Sequence, residues 1–164
     1  LGFKRERRFL HTEIGYNYRM TNIQAALGVS QIEKIEEHVR IKRKNTKLYN
    51  DTLTKMSLPL RLPIEKDYAR SVFWMYGIVI ENKKLDAKKL ADKLFQNGIE
   101  TRPLFLGMHQ QPIFKEMKFF KNQKFPVTEE LSKSGLYLPS GLKLTKKKIK
   151  IVCETIKKIF NEKL

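Results

Sequence analysis

The chain has 164 residues, 41% hydrophobic and 10% aromatic, enough for one domain-sized core and too apolar for a disordered segment. No run of about 18 apolar residues occurs, so no membrane-spanning helix is expected, and the opening LGFKRERRFLHTE lacks the apolar centre of a signal peptide. The formal charge of +17 raises a nucleic-acid or anion-binding module as one function class, but 25 of the 34 basic residues are lysines spread through every segment, with no RNP-like motif, zinc-finger spacing or basic zipper.

Residues 1–20 have no sustained period and read as a loop. Thr21 offers an N-cap with Gln24 as its capping-box partner. The apolar set Ile23, Ala26, Leu27, Ile32, Ile35 and Val39 then predicts one long helix from 21 to about 54. SLPLRLPIEKD follows, and its two prolines mark an extended connector. SVFWMYGIVI is the clearest strand, rich in aromatic and β-branched residues. Its Trp74 and Tyr76 are expected in the core. Asp86 caps a helix through Gln96, and Asn97-Gly98 supplies its stop. IETRPLF is a short strand. A loop rich in Phe, Met and Pro runs from Leu104 to Pro126, with one short helix near 113–117. VTEELSKSG is a helix ended by Gly135, LYLPS a third strand, and Thr145 caps the last helix. In that helix Ile149, Val152, Ile156 and Ile159 recur at helical spacing, so its lysines form a wet face rather than a functional basic patch. Cys153, the single cysteine, falls in the same apolar pattern and reads as a small buried thiol, in keeping with a reducing cytoplasm. The expected fold class is α/β, a sheet of about three strands covered by helices.

Three stretches carry chemistry. GYNYRM places Tyr16, Asn17, Tyr18 and Arg19 just before a helix start, where free N–H groups and the helix dipole favour anions and arginine adds bidentate recognition of phosphate or carboxylate. The competing reading is a loop whose Asn and Arg satisfy backbone groups. TRPLFLGMHQQP holds Arg102, His109 and Gln110 in an apolar loop, where a histidine can bind substrate or carry protons; an ordinary surface histidine is the alternative. The third, WMYG, is strand core as noted. P-loop, dinucleotide-fingerprint, nucleophile-elbow and metal-spaced motifs are all missing, so no metal site is expected.

HTEIGYNYRMTNIQAALGVSQIEKIEEHVRIKRK, SVFWMYGIVI, NGIETRPLFLGMHQQP and FPVTEELSKSGLYLPS, in that order, resemble the PLP-dependent sugar aminotransferases of the DegT/DnrJ/EryC1/StrS family, and most of all its perosamine-synthetase-like members. The likeness covers about residues 8–160. It implies the C-terminal portion of a two-domain subunit of the aspartate-aminotransferase fold (fold type I). Residues 1–20 would be a dimer-interface loop, 21–54 a long interdomain helix and 55–164 the small α/β domain. The N-terminal large domain, with the Schiff-base lysine and the aspartate that pairs with the pyridine nitrogen, has no counterpart here. The chain would thus hold no catalytic residue and would not turn over alone.

By matching positions, Asn17 and Arg19 would approach the PLP phosphate or the substrate across a homodimer interface, with Tyr16 flanking that site. His109 would lie near the sugar-nucleotide pocket, with Arg102 as a further substrate contact. Gly107-Met108 stands where the family pattern has Pro-Leu before that histidine. The intact enzyme would move an amino group from a donor such as glutamate to a nucleotide-linked keto-sugar in the cytoplasm, using PLP and PMP. A basic binding module and a stand-alone dimerisation domain are the alternatives.

Overall fold

The computed structural model describes residues 15–82 and 85–162. By its internal contacts the chain divides into two units, Leu1–Glu36 and Glu37–Leu164. Each is described by itself, and the HTEI part of the first motif lies outside the described residues.

In the first unit, helix α1 spans Asn22–Ile32 and opens with the expected capping box: the Thr21 side chain accepts from Gln24 N, and the Gln24 side chain accepts from Thr21 N. No residue of α1 is buried. Helix α2 spans Ile35–Met56. The single helix expected over 21–54 is therefore two helices separated by a turn at Glu33–Lys34. The last turn of α1 tightens there, with Lys34 N donating to Gln31 O at 3.2 Å. No proline forces this break. Gly28 and Ser30 weaken helix propensity just upstream, and α1 buries nothing that would offset the cost.

The second unit carries a four-stranded antiparallel sheet in the order β1-β2-β4-β3: β1 Leu60–Arg61, β2 Tyr76–Ile80, β3 Arg102–Pro103 and β4 Gly135–Leu138. The α/β class is as expected, but there are four strands rather than about three. The additional one, β1, lies in the proline-rich connector. Its two residues pair with Ile80 and Val79 at the sheet edge, and Pro59 and Pro63 flank it where an edge strand tolerates proline. β2 is shorter than SVFWMYGIVI suggested, because Phe73 has a positive φ of 45° and interrupts extended backbone before Tyr76.

Strand alternation sorts the side chains. Tyr76, Ile78, Ile80, Leu136 and Leu138 face one hydrophobic core shared with Tyr49 and Leu53 of α2, Leu90 and Leu94 of α3 (Ala87–Gln96), and Ile149, Val152, Ile156 and Ile159 of α6 (Lys146–Asn161). Each such residue, fully buried, contributes about 1.5–3 kcal/mol against chain entropy. Gly77 and Tyr137 pair on the opposite face, and a Cβ on Gly77 would come within 3.2 Å of the Tyr137 ring. Asp86 caps α3, Gly98 ends it at φ 74°, and Thr145 caps α6, as the sequence implied. The lysines of α6 are exposed and Cys153 is buried in the core. Two shorter helices, α4 (Pro112–Glu116) and α5 (Pro126–Ser134), both begin on proline, and α5 runs directly into β4.

Candidate functional site

The residues of interest fall into three groups. The first lies in the first unit, where Asn17, Tyr18, Arg19, Met20 and Gln24 line an open hollow of about 470 Å³ at the start of α1. Asn17 Oδ1 accepts from both Arg19 N and Arg19 Nε at 3.2 Å, which fixes the arginine relative to the loop. Tyr16 stacks on Tyr18 with ring centroids 5.8 Å apart. The capping box satisfies two backbone donors, and the Asn22 and Ile23 amides keep no intrahelical acceptor. The Asn17 amide nitrogen and the guanidinium terminus of Arg19 are the other donors of this rim. A set of N–H donors, one cation and no acid suits a phosphate or carboxylate.

The second group surrounds His109, in a 3-10 turn Met108–Gln110. Its Nε2 lies 3.2 Å from Glu129 Oε1, and its ring packs against Phe125 at 4.7 Å. The Glu129 carboxylate favours a proton on Nε2. Gly107 is required here: a Cβ would come within 2.6 Å of the His109 ring and 2.8 Å of Thr128. This explains why a glycine precedes Met108. The neighbouring Gln110 accepts from Ser132 Oγ at 3.2 Å.

Arg102 is apart from His109. It sits at the start of β3 and lines a cavity of about 770 Å³ at one end of the sheet. Trp74, Tyr137, Pro139, Ser140, Lys148 and Lys42 also line it. Trp74 is 62% exposed and stacks on Phe105 at 6.4 Å, so the expectation that it is core does not hold; Tyr76, two residues on, is the buried one. The register explains the difference, since Trp74 precedes the strand and Tyr76 begins it.

One face of α2 builds the wall of this cavity. Lys42 Nζ donates to Trp74 O at 2.8 Å and to Ser140 O at 2.5 Å, and Tyr49 Oη donates to Pro139 O at 2.9 Å. Desolvation holds the Lys42 ammonium below the ordinary lysine range, and burial pushes the Tyr49 phenol well above the tyrosine range. Tyr49 stacks on Tyr76 at 4.5 Å, and Tyr76 Oη donates to Asn50 Oδ1 at 2.6 Å. Sequence reading did not single out Lys42. The signal was available: Lys42, Thr46, Tyr49 and Leu53 follow steps of four, three and four, so Lys42 shares the inward face of α2.

Among the described residues no cluster of three or more His, Cys, Asp or Glu could hold a metal, and no helix is long and apolar enough to cross a membrane.

The DegT/DnrJ/EryC1/StrS aminotransferase family model matches residues 1–157, and the chain belongs to that family. GDP-perosamine synthase of Escherichia coli O157:H7 is 33% identical over 165 residues, covering 99% of this chain and 42% of the relative. Helicobacter pylori PseC, an aminotransferase involved in the biosynthesis of pseudoaminic acid, superposes with a TM-score of 0.83 at 21% identity, over 99% of this chain and 44% of its own. The E. coli GDP-4-keto-6-deoxy-D-mannose-3-dehydratase with bound hydrated PLP superposes with a TM-score of 0.69 at 22% identity, over 90% of this chain and 38% of its own. The chain therefore has the fold of these enzymes over the matched portion and spans about two fifths of the length of the curated relatives it matches.

Proposed function

We propose that this chain is the part of a PLP-dependent sugar aminotransferase that supplies the small domain and the GYNYRM loop, acting on a nucleotide-linked keto-sugar with glutamate as amino donor. The observation that carries this reading is the donor set at the start of α1, in a chain that belongs to an aminotransferase family. Arg19, held by Asn17, and the open amides of α1 fit the PLP phosphate: several N–H groups and a fixed cation converge with no competing carboxylate. When bound, PLP supplies the electron sink for amino-group transfer. The role of this chain's residues is to bind and orient. Arg19 and Asn17 hold the phosphate, and Tyr16 and Tyr18 form a flat apolar edge that excludes water beside it.

In this reading residues 1–20 reach a partner subunit's site in a homodimer, 21–54 link the domains, and 55–164 form the small domain. His109, kept in place by Glu129 and Phe125, and Arg102 face the substrate sugar and its anionic part. The exposed apolar residues of α1, Ile23, Leu27, Val29 and Ile32, suit burial against other parts of such an assembly. The single buried thiol is consistent with work in the cytoplasm.

The test is a chimera in which this chain replaces the matching portion of the E. coli GDP-perosamine synthase. It is expected to form the amino-sugar product from glutamate, and Arg19→Ala is expected to lower kcat/KM by about a hundredfold, as loss of a charge-assisted phosphate contact would. A folded, PLP-loaded chimera without transfer activity would refute the reading.

A further inference from the structure

We propose that the cavity at the end of the sheet seats a nucleoside diphosphate, with the base against Trp74 and the phosphates toward Arg102 and Lys148. This rests on the aminotransferase reading for its biological source, the nucleotide of the sugar substrate, but its chemistry is read from the cavity itself. At about 770 Å³ the space suits a ligand of that size. Trp74 is 62% exposed with Phe105 stacked on it, so one face of the indole stays open for a second planar ring. Tyr137 lies edge-on to Phe105 at 5.8 Å and extends the aromatic wall.

The lining is also cationic. Arg102, Lys148 and Lys42 stand against one acid, Glu100. The Arg102 and Lys148 side chains make no ion pair among the described residues, so both are available to an anion. Lys42 is already committed to the Trp74 and Ser140 carbonyls. It fixes the backbone that carries the indole and adds positive potential to the wall. An aromatic platform joined to a pair of free cations selects a planar heterocycle bearing negative charge over either component alone. A neutral sugar lacks the charge, and inorganic phosphate lacks the ring.

Trp74 is the only tryptophan of the chain, so its emission reports the site directly. The 164-residue chain is titrated with GDP, guanosine and pyrophosphate. GDP is expected to quench the emission saturably, to bind about tenfold tighter than guanosine, and to weaken as salt is raised. Arg102→Gln and Lys148→Gln are each expected to weaken GDP by about tenfold while leaving the circular-dichroism spectrum and Tm near the parent values. Trp74→Phe, followed by calorimetry, should weaken GDP and leave pyrophosphate unchanged.

Absence of quenching up to ~1 mM GDP would overturn the proposal. So would binding insensitive to both charge substitutions, or equal affinity for guanosine and GDP. The two readings separate cleanly. A chimera that transfers amino groups while this chain ignores GDP sinks the cavity assignment alone. GDP binding beside an inactive chimera sinks the aminotransferase reading alone.

Discussion

Replacing Tyr49 by Phe tests how α2 holds the cavity rim. Tyr49 has no exposed surface, and its hydroxyl donates to the Pro139 carbonyl at 2.9 Å. The ring stays in the variant, so its stacking on Tyr76 at 4.5 Å and its apolar burial are retained. What is lost is one buried hydrogen bond, with the Pro139 carbonyl left short of a donor. The cost is about 1–2 kcal/mol. For a chain of this size that lowers Tm by roughly 2–8 °C. Thermal unfolding followed by far-ultraviolet circular dichroism gives the number, and Trp74 emission shows whether the neighbouring rim has shifted. An unchanged or raised Tm would mean that the Tyr49 hydroxyl does not anchor Pro139, and the account of α2 as the wall of the cavity would fail.

Further outcomes follow from the same structure. Gly107→Ala places a Cβ within 2.6 Å of the His109 ring, so it should displace that ring and broaden its NMR resonances while the α6 core stays intact. Glu65 is held down to about 2, first by its hydrogen bonds to Arg43 and then by the Ser71 amide. Its folded value lies below the unfolded one, so it stabilises the fold above about 4.5 and loses that contribution as pH falls toward 2. Glu65→Gln should flatten the acid limb of stability against pH, by a modest amount because the pair is solvent-screened. Cys153 is fully buried and its thiol is pushed up to about 12, so a thiol reagent should label it only on unfolding. Ile156→Ala should cost about 2–5 kcal/mol by opening a void among α6, α3 and the sheet, read as a drop in the denaturant midpoint.

Much of the second unit was legible from local chemistry. Asp86 and Thr145 announce helix starts, Gly98 announces a stop, and the α6 apolar spacing predicts a buried face that the structure contains. Local signals fail where the outcome depends on partners distant in sequence. β1 is a strand only because Leu60 and Arg61 meet Ile80 and Val79 across the chain. Trp74 reads as core because aromatics favour strands, but register and the Phe73 backbone put it outside. The break after Ile32 has no proline or stop signal, and only the lack of buried contacts on α1 accounts for it.

The candidate site divides the same way. Asn17 and Arg19 were visible because they act locally, two residues apart. The Lys42 contacts to Trp74 and Ser140 were not, since they span 32 and 98 residues of sequence.

The central claim is that this chain contributes binding and orienting groups and that the Schiff-base lysine belongs to another part of the enzyme. The most direct measurement mixes the chain with PLP, reduces it with borohydride, and locates any labelled peptide by mass. The account predicts no stoichiometric adduct at a single lysine, including Lys42, whose ammonium is depressed but committed to two carbonyls. A stoichiometric, site-specific adduct would show that a usable Schiff-base lysine is present here and would contradict the placement of this chain within the aminotransferase.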